Sequence, residues 1–228
     1  MISIVMTSFN RPKQLRETLR SIEAQKVDEV GEIIVVDEGD PSTELLCKAS
    51  GVKYFKMNRP PSAEYRNPVL PLNIGIRQSS GEVIILQNAE CKHVDPDTIR
   101  KLTSLVTPTN AVFARVIALD EEGRELLLYC GRENPRPYFF CGAIRREWFE
   151  RLRGFDEDYK AYGYEDDDFA DRLRREGVEF IFTDVLVYHQ WHPYPGKIND
   201  VVSSRILYEA KRNEPTVRNL GREWGQQL

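Results

Sequence analysis

Four acidic residues in succession, Glu165, Asp166, Asp167 and Asp168, stand in the stretch AYGYEDDDFADRLRREG, where a helical pattern begins. Adjacent carboxylates repel one another, so their placement needs a reason. A helix start takes one or two acids, which its dipole stabilises. A solvated surface tolerates more, and a reaction can use one carboxylate to accept a proton from an attacking group. Four in a row behind Gly163 exceed what a helix end needs, which points to a site, with Asp168 left to the helix. Further candidates collect where apolar runs stop. ISIVMTS leads into Phe9 and Asn10, EIIVVDEGD ends at Asp37, Glu38 and Gly39, and EVIILQN ends at Gln87 and Asn88, just before Glu90. Side by side these ends offer carboxylates, amides and an aromatic face, a set that suits a nucleotide. Asp37 would accept a hydrogen bond from a base or ribose hydroxyl, and Phe9 would stack.

Such a crevice needs a sheet whose strands end together. ISIVMTS, EIIVVDEGD and EVIILQN carry short continuous apolar runs, as strands covered on both faces do, and VKYFKM reads as a further strand. Helical patterns alternate with them. Leu15, Leu19 and Ile22 share one face behind Pro12, with Asn10 as the expected cap; LNIGIRQSSG and DPDTIRKLTSLV follow. This alternation predicts an α/β fold with a Rossmann-like, mostly parallel central sheet and helices on both faces, where ligands bind beyond the carboxyl ends of the strands. The second half is more mixed: AVFARVIAL and ELLLYCG read as strands, FFCGAIRREWFERL turns from strand to helix, and VEFIFTDVLVYH precedes a last helix at INDVVSSRILYEAKRN. With no repeat or linker, one domain is expected over 1–228, with a nucleotide-binding half (1–106), an acceptor half (107–197) and a helical tail (198–228).

Composition narrows the classes. The 228 residues carry a formal charge of −4 with basic and acidic residues interspersed, which argues against a nucleic-acid partner. No apolar run is long enough to span a bilayer, and MISIVMTSFNRP does not read as a signal peptide. Cys47, Cys91, Cys130 and Cys141 lack CxxC spacing and suit buried, reduced thiols. The expected location is cytoplasmic, or peripheral at the inner face of a membrane.

Taken in order, IVMTSFNRPKQLRETLRSI, EIIVVDEGD, LNIGIRQSSGEVIILQNAEC and GFDEDYKAYGYEDDDFADRLRREG resemble family 2 glycosyltransferases of the GT-A fold, from the first strand to about His192. The resemblance implies transfer of a sugar from a nucleoside diphosphate donor, a UDP-sugar by preference, to an acceptor hydroxyl of a glycan, usually with a divalent metal. It places Thr7, Phe9, Asn10, Asp37, Asn73 and Asn88 at the nucleotide-sugar, with Arg66 reaching for the diphosphate because Leu72 stands where a basic residue often precedes Asn73.

The family's Asp-x-Asp metal motif aligns with Asn88, Ala89 and Glu90, so only Glu90 keeps a charge. By resemblance Glu90 ligates the metal, and a histidine after the last core strand completes the site: His189, with His192 in reserve. An imidazole in the set favours Mn²⁺ over Mg²⁺. Resemblance to β-1,4-galactosyltransferase-like motifs makes Asp166 the base of an inverting transfer, with Glu165 and Asp167 on acceptor hydroxyls and Trp191 offering a flat surface to a sugar ring. The tail is expected to cover the acceptor cleft, ahead of a homodimer contact or a membrane surface. A second reading, prompted by the thinned metal motif, is a non-catalytic domain that binds a nucleotide-sugar or glycan. A nucleotidyltransferase would carry glycines after the first strand, which TSFNRPKQ lacks.

Overall fold

The computed structural model describes residues 1–38, 40–57, 68–193 and 198–226. The elements run β1 (Ile2–Ser8), α1 (Pro12–Glu23), β2 (Val30–Asp37), α2 (Pro41–Ala49), β3 (Lys53–Lys56), α3 (Val69–Gln78), β4 (Val83–Asn88), β5 (Cys91–His93), α4 (Thr98–Thr103), β6 (Asn110–Leu119), β7 (Glu125–Cys130), β8 (Cys141–Arg145), α5 (Arg146–Leu152), α6 (Glu165–Arg175), β9 (Glu179–His189) and α7 (Ile198–Lys211).

One sheet runs β3-β2-β1-β4-β8-β6-β9-β5, with β7 paired to β6. Its first four strands are parallel. Ile4, Val5 and Met6 are all fully buried; since successive side chains point to opposite faces, both faces of β1 are covered. The second half departs from the mostly parallel expectation. β8 runs antiparallel between β4 and β6, and β5 and β7 are antiparallel to β9 and β6. β6 divides its length between partners: Ala111 to Phe113 pair with β8, and Val116 to Leu119 with β7. The chain between those two strands crosses the carboxyl end of β4, where the Asn88 N–H donates to the Phe140 carbonyl at 3.1 Å.

Two helices depart from the sequence reading. α1 begins at Pro12 with Arg11 at its cap position, while Asn10 takes a left-handed φ of 52° and does not cap it. α2, unread in the sequence, starts after Asp40, whose Oδ1 accepts from the Ser42 N–H at 2.8 Å. α3 lies close over the sheet because residue 75 is glycine: a Cβ there would stand 2.5 Å from Val5 Cγ1.

The tail also lies elsewhere than expected. No described residue of α7 or beyond lines the main cleft. α7 braces the approach to α6, with Ser204 Oγ donating to the Ala161 carbonyl. Residues after it strap the 152–158 loop: Asn219 Nδ2 donates to the Arg153 and Phe155 carbonyls, and the Gly225 N–H donates to Glu157. All four cysteines are buried free thiols.

Candidate active site

The strand ends open onto a cleft of about 530 Å³, lined among others by Thr7, Phe9, Asn88, Glu90, His189 and Asp166. Glu90 enters that lining from just before the three-residue β5, whose pairing positions it. In the pairing of β5 with β9, Cys91 stands opposite His189, so Glu90 emerges beside the end of β9. Gln190 fixes that position: its backbone N–H and its Nε2 both donate to the Glu90 carbonyl, at 3.0 and 3.1 Å. Glu90 Oε1 then lies 3.6 Å from His189 Nε2 and 3.1 Å from His192 Nε2. Tyr129 meets the His189 ring edge to face at 5.3 Å, holding its plane.

These donor atoms lie within 4.8 Å of one another. Ligands about 2 Å from one cation stand roughly 3 to 3.5 Å apart at ordinary coordination angles, so the two carboxylate–imidazole spacings fit a shared ion. One carboxylate and two imidazoles are a donor set able to hold a divalent cation. His192, the reserve in the sequence, stands nearer to Glu90 than His189 does. Desolvation lowers the His189 pKa, and Glu90 acts against that shift, so the ring is kept neutral and able to ligate.

Glu165 and Asp166, which begin α6, line the same cleft. Gly163 at φ 99° and Tyr164 at φ 64° turn the chain sharply into the helix. Both carboxyls are raised above their ordinary range. Burial is the larger cause for each, and mutual repulsion within the acidic run adds to it. The other two acids leave the cleft. Asp167 faces Arg136 at 3.5 Å, so it is not among the cleft-lining acceptor groups the sequence suggested. Asp168 is fully buried, 2.8 Å from Arg172 Nε and 3.5 Å from Arg218. Trp191 lines the cleft and is 40% exposed, as a stacking surface needs to be.

Three residues that the sequence assigned to the nucleotide do not line the cleft, and in each case a chain neighbour does. Asn73 is fully buried away from the cleft; its Nδ2 donates to the Phe155 carbonyl and Glu157, and its Oδ1 accepts from the Phe155 N–H, each at 2.9 Å. The Asn-x-Gly pattern is therefore explained by packing, and Leu72 lines the cleft instead. Asp37 is fully buried, accepting from the Tyr54 hydroxyl and the Asp40 N–H, while Glu38 lines the cleft. Asn10 is exposed and outside the lining, and the neighbouring Arg11 lines it. Arg66 lies outside the described residues. Arg11 was legible only as a basic residue after a strand end, a weak signal without knowledge of where the last strand returns.

Comparisons with known proteins agree with this architecture. A sequence profile described as the N-terminal domain of galactosyltransferase matches residues 129–193. Hyaluronan synthase from Pasteurella multocida is 27% identical over 249 residues, covering 87% of this chain and 25% of that protein, so the chain spans about a quarter of that relative's length. A mannosyltransferase from Pyrobaculum calidifontis, in complex with GDP-Man and Mn²⁺, superposes with a TM-score of 0.62 at 20% identity, over 82% of this chain and 56% of that one. TarS of S. aureus, in complex with UDP-GlcNAc, gives 0.65 at 14% identity, over 85% and 59%. The chain has the GT-A fold of glycosyltransferases.

Proposed function

We propose that the chain is a metal-dependent, inverting glycosyltransferase that moves a sugar from a nucleoside diphosphate donor, with a UDP-sugar favoured, to a hydroxyl of a glycan. The observation that carries this reading is that the Glu90–His189–His192 cluster and the Asp166 carboxylate line one cleft. The relatives' names support the substrate class: one makes hyaluronan, and two solved neighbours hold GDP-Man or UDP-GlcNAc.

Each group of residues in the cleft has its task. Glu90, His189 and His192 would hold Mn²⁺, which when bound supplies positive charge for the departing diphosphate. Phe9 and Thr7, at the end of β1, face the nucleotide, and Asn88 offers an amide where the ribose would lie. Asp166 takes the proton of the acceptor hydroxyl as that oxygen bonds to the sugar's anomeric carbon, whose bond to the diphosphate breaks with the electron pair leaving on phosphate. A raised pKa makes Asp166 a better base at neutral pH than an ordinary aspartate. Glu165 would position the acceptor, and Trp191 would take the apolar face of a sugar ring. Among the described residues no helix is long and apolar enough to cross a membrane.

The test is release of UDP or GDP from a panel of nucleotide-sugars with Mn²⁺ and glycan acceptors, comparing the native chain with Asp166→Asn. Turnover that depends on Asp166 is expected. Tight binding of donors without hydrolysis or transfer of any would replace this reading with a binding domain.

A further inference from the structure

His192 makes contacts that a ligand role alone does not require. Its Nδ1 lies 2.8 Å from Arg11 Nη2 and 3.0 Å from the Pro193 carbonyl oxygen. A guanidinium only donates and a carbonyl only accepts, so Nδ1 satisfies one of these partners at a time. With Arg11 as partner, Nδ1 accepts and the ring hydrogen resides on Nε2, which faces Glu90 Oε1 at 3.1 Å and donates to it. A cation held by Nε2 uses the lone pair on that nitrogen, so the ring hydrogen must then sit on Nδ1. There Pro193 is the fitting partner, and Arg11 has lost its acceptor.

Arg11 is placed to act on that loss. Its side chain is half-buried and lines the same cleft. Nη1 donates to the Asn10 carbonyl and Nη2 also reaches the Pro193 carbonyl at 3.3 Å, while Nε has no partner among the described residues. Charge leads to the same conclusion. Among the described residues Glu90 is the one carboxylate of the cluster, and Asn88, which lines the same cleft, is uncharged. A divalent cation and a guanidinium beside one carboxylate leave excess positive charge, which a diphosphate offsets.

We propose that Arg11 is a positioning residue that couples cation binding to donor binding: it holds His192 when no cation is present and is released to the diphosphate when the cation takes Nε2. The proposal rests on the metal-dependent reading above. Without nucleotide, cation and Arg11 oppose each other; with nucleotide, both gain from it, so the two ligands bind cooperatively.

Calorimetric titration with MnCl₂, with and without saturating UDP, tests this in the native chain, Arg11→Met and Arg11→Gln, with thermal unfolding reporting whether each variant is folded. UDP is expected to tighten Mn²⁺ binding to the native chain by about tenfold or more, within the usual range of coupling between sites. Either folded variant is expected to bind Mn²⁺ alone more tightly than the native chain and to show a smaller UDP enhancement, the part left being the direct attraction of the cation for the diphosphate. A folded variant with unchanged or weaker affinity for Mn²⁺ alone, or with the enhancement intact, overturns the role of Arg11 and leaves the metal site standing. A native chain that binds no Mn²⁺ with or without UDP overturns the metal-dependent reading as well.

Discussion

Cys91 stands opposite His189 in the antiparallel pairing of β5 with β9, and that register sets the Glu90 carboxylate within 3.6 Å of the imidazole. A strand of three residues therefore builds the candidate metal centre. Glu90→Gln keeps the shape of the side chain and removes its charge. It should weaken Mn²⁺ binding by more than the roughly tenfold to hundredfold that follows loss of a ligand's supporting hydrogen bond. Chelation should abolish transfer in the native chain, and added Mn²⁺ should restore it. Calorimetry and a UDP-release assay check the two halves.

Two aspartates of the acidic run, Asp166 and Asp168, should fail in different ways. Asp166→Asn should fold normally and lose about two to four orders of magnitude in turnover, the range for removing a general base. Asp168→Asn leaves Arg172, 1% exposed, without its buried counter-charge, and breaking such a pair costs about 3–5 kcal/mol. Its defect should appear in urea unfolding as well as in turnover.

Raised carboxyl pKa values give the activity a direction with pH. Asp166 must be ionised to accept a proton, and burial and its acidic neighbours hold its pKa up. The acidic limb of the turnover profile should therefore lie above the ordinary aspartate value of about 4. Glu165→Gln removes one repelling charge and should move that limb to lower pH. A limb that stays in place would remove Glu165 from the electrostatics of the base.

The parallel half of the fold was legible because ISIVMTS, EIIVVDEGD and EVIILQN hold continuous apolar runs too short for a helix and bounded by polar residues, the pattern of strands covered on both faces. β5 escaped because three residues carry no periodicity, and Cys91 read only as one of four scattered thiols. His189 and Glu90 were legible by family pattern, but their closeness depends on the register of β5. Asn73 was misplaced for a different reason. Its motif is satisfied by the Phe155 backbone and Glu157, partners more than eighty residues away. Sequence spacing gives no sign of such contacts.

Asn73 therefore yields a prediction about stability. Asn73→Ala strands the Phe155 N–H and the Phe155 carbonyl's share of the bonding, in a site where Gly154 already approaches so closely that a Cβ would lie 2.4 Å from Asn73 Oδ1. Each buried group left unpaired costs about 1–3 kcal/mol. Urea unfolding should show that loss, while UDP affinity in the folded variant should stay near the native value. A large fall in UDP affinity with unchanged stability would return Asn73 to the nucleotide site.

His93 provides the counterpart at low pH. Its Nδ1 accepts from Gln25 Nε2 at 2.7 Å and its Nε2 donates to Gln87 Oε1 at 2.9 Å, so the neutral ring links the turn after α1 to β4. Burial lowers its pKa from 6.5 to about 4. The unfolded chain thus takes up a proton that the folded chain refuses, and this contribution to stability is lost as pH falls below 6.5. Linkage puts the loss at about 2 kcal/mol between about pH 7 and pH 5. The Glu165–Asp166 pair acts in the opposite sense, because its folded form holds protons more tightly than the unfolded chain. The measurement must therefore be a difference. Urea unfolding at the two pH values, in the native chain and in His93→Gln, should show the native chain losing more stability on acidification. Equal losses in the two proteins would mean that the fold leaves the His93 pKa where the unfolded chain has it.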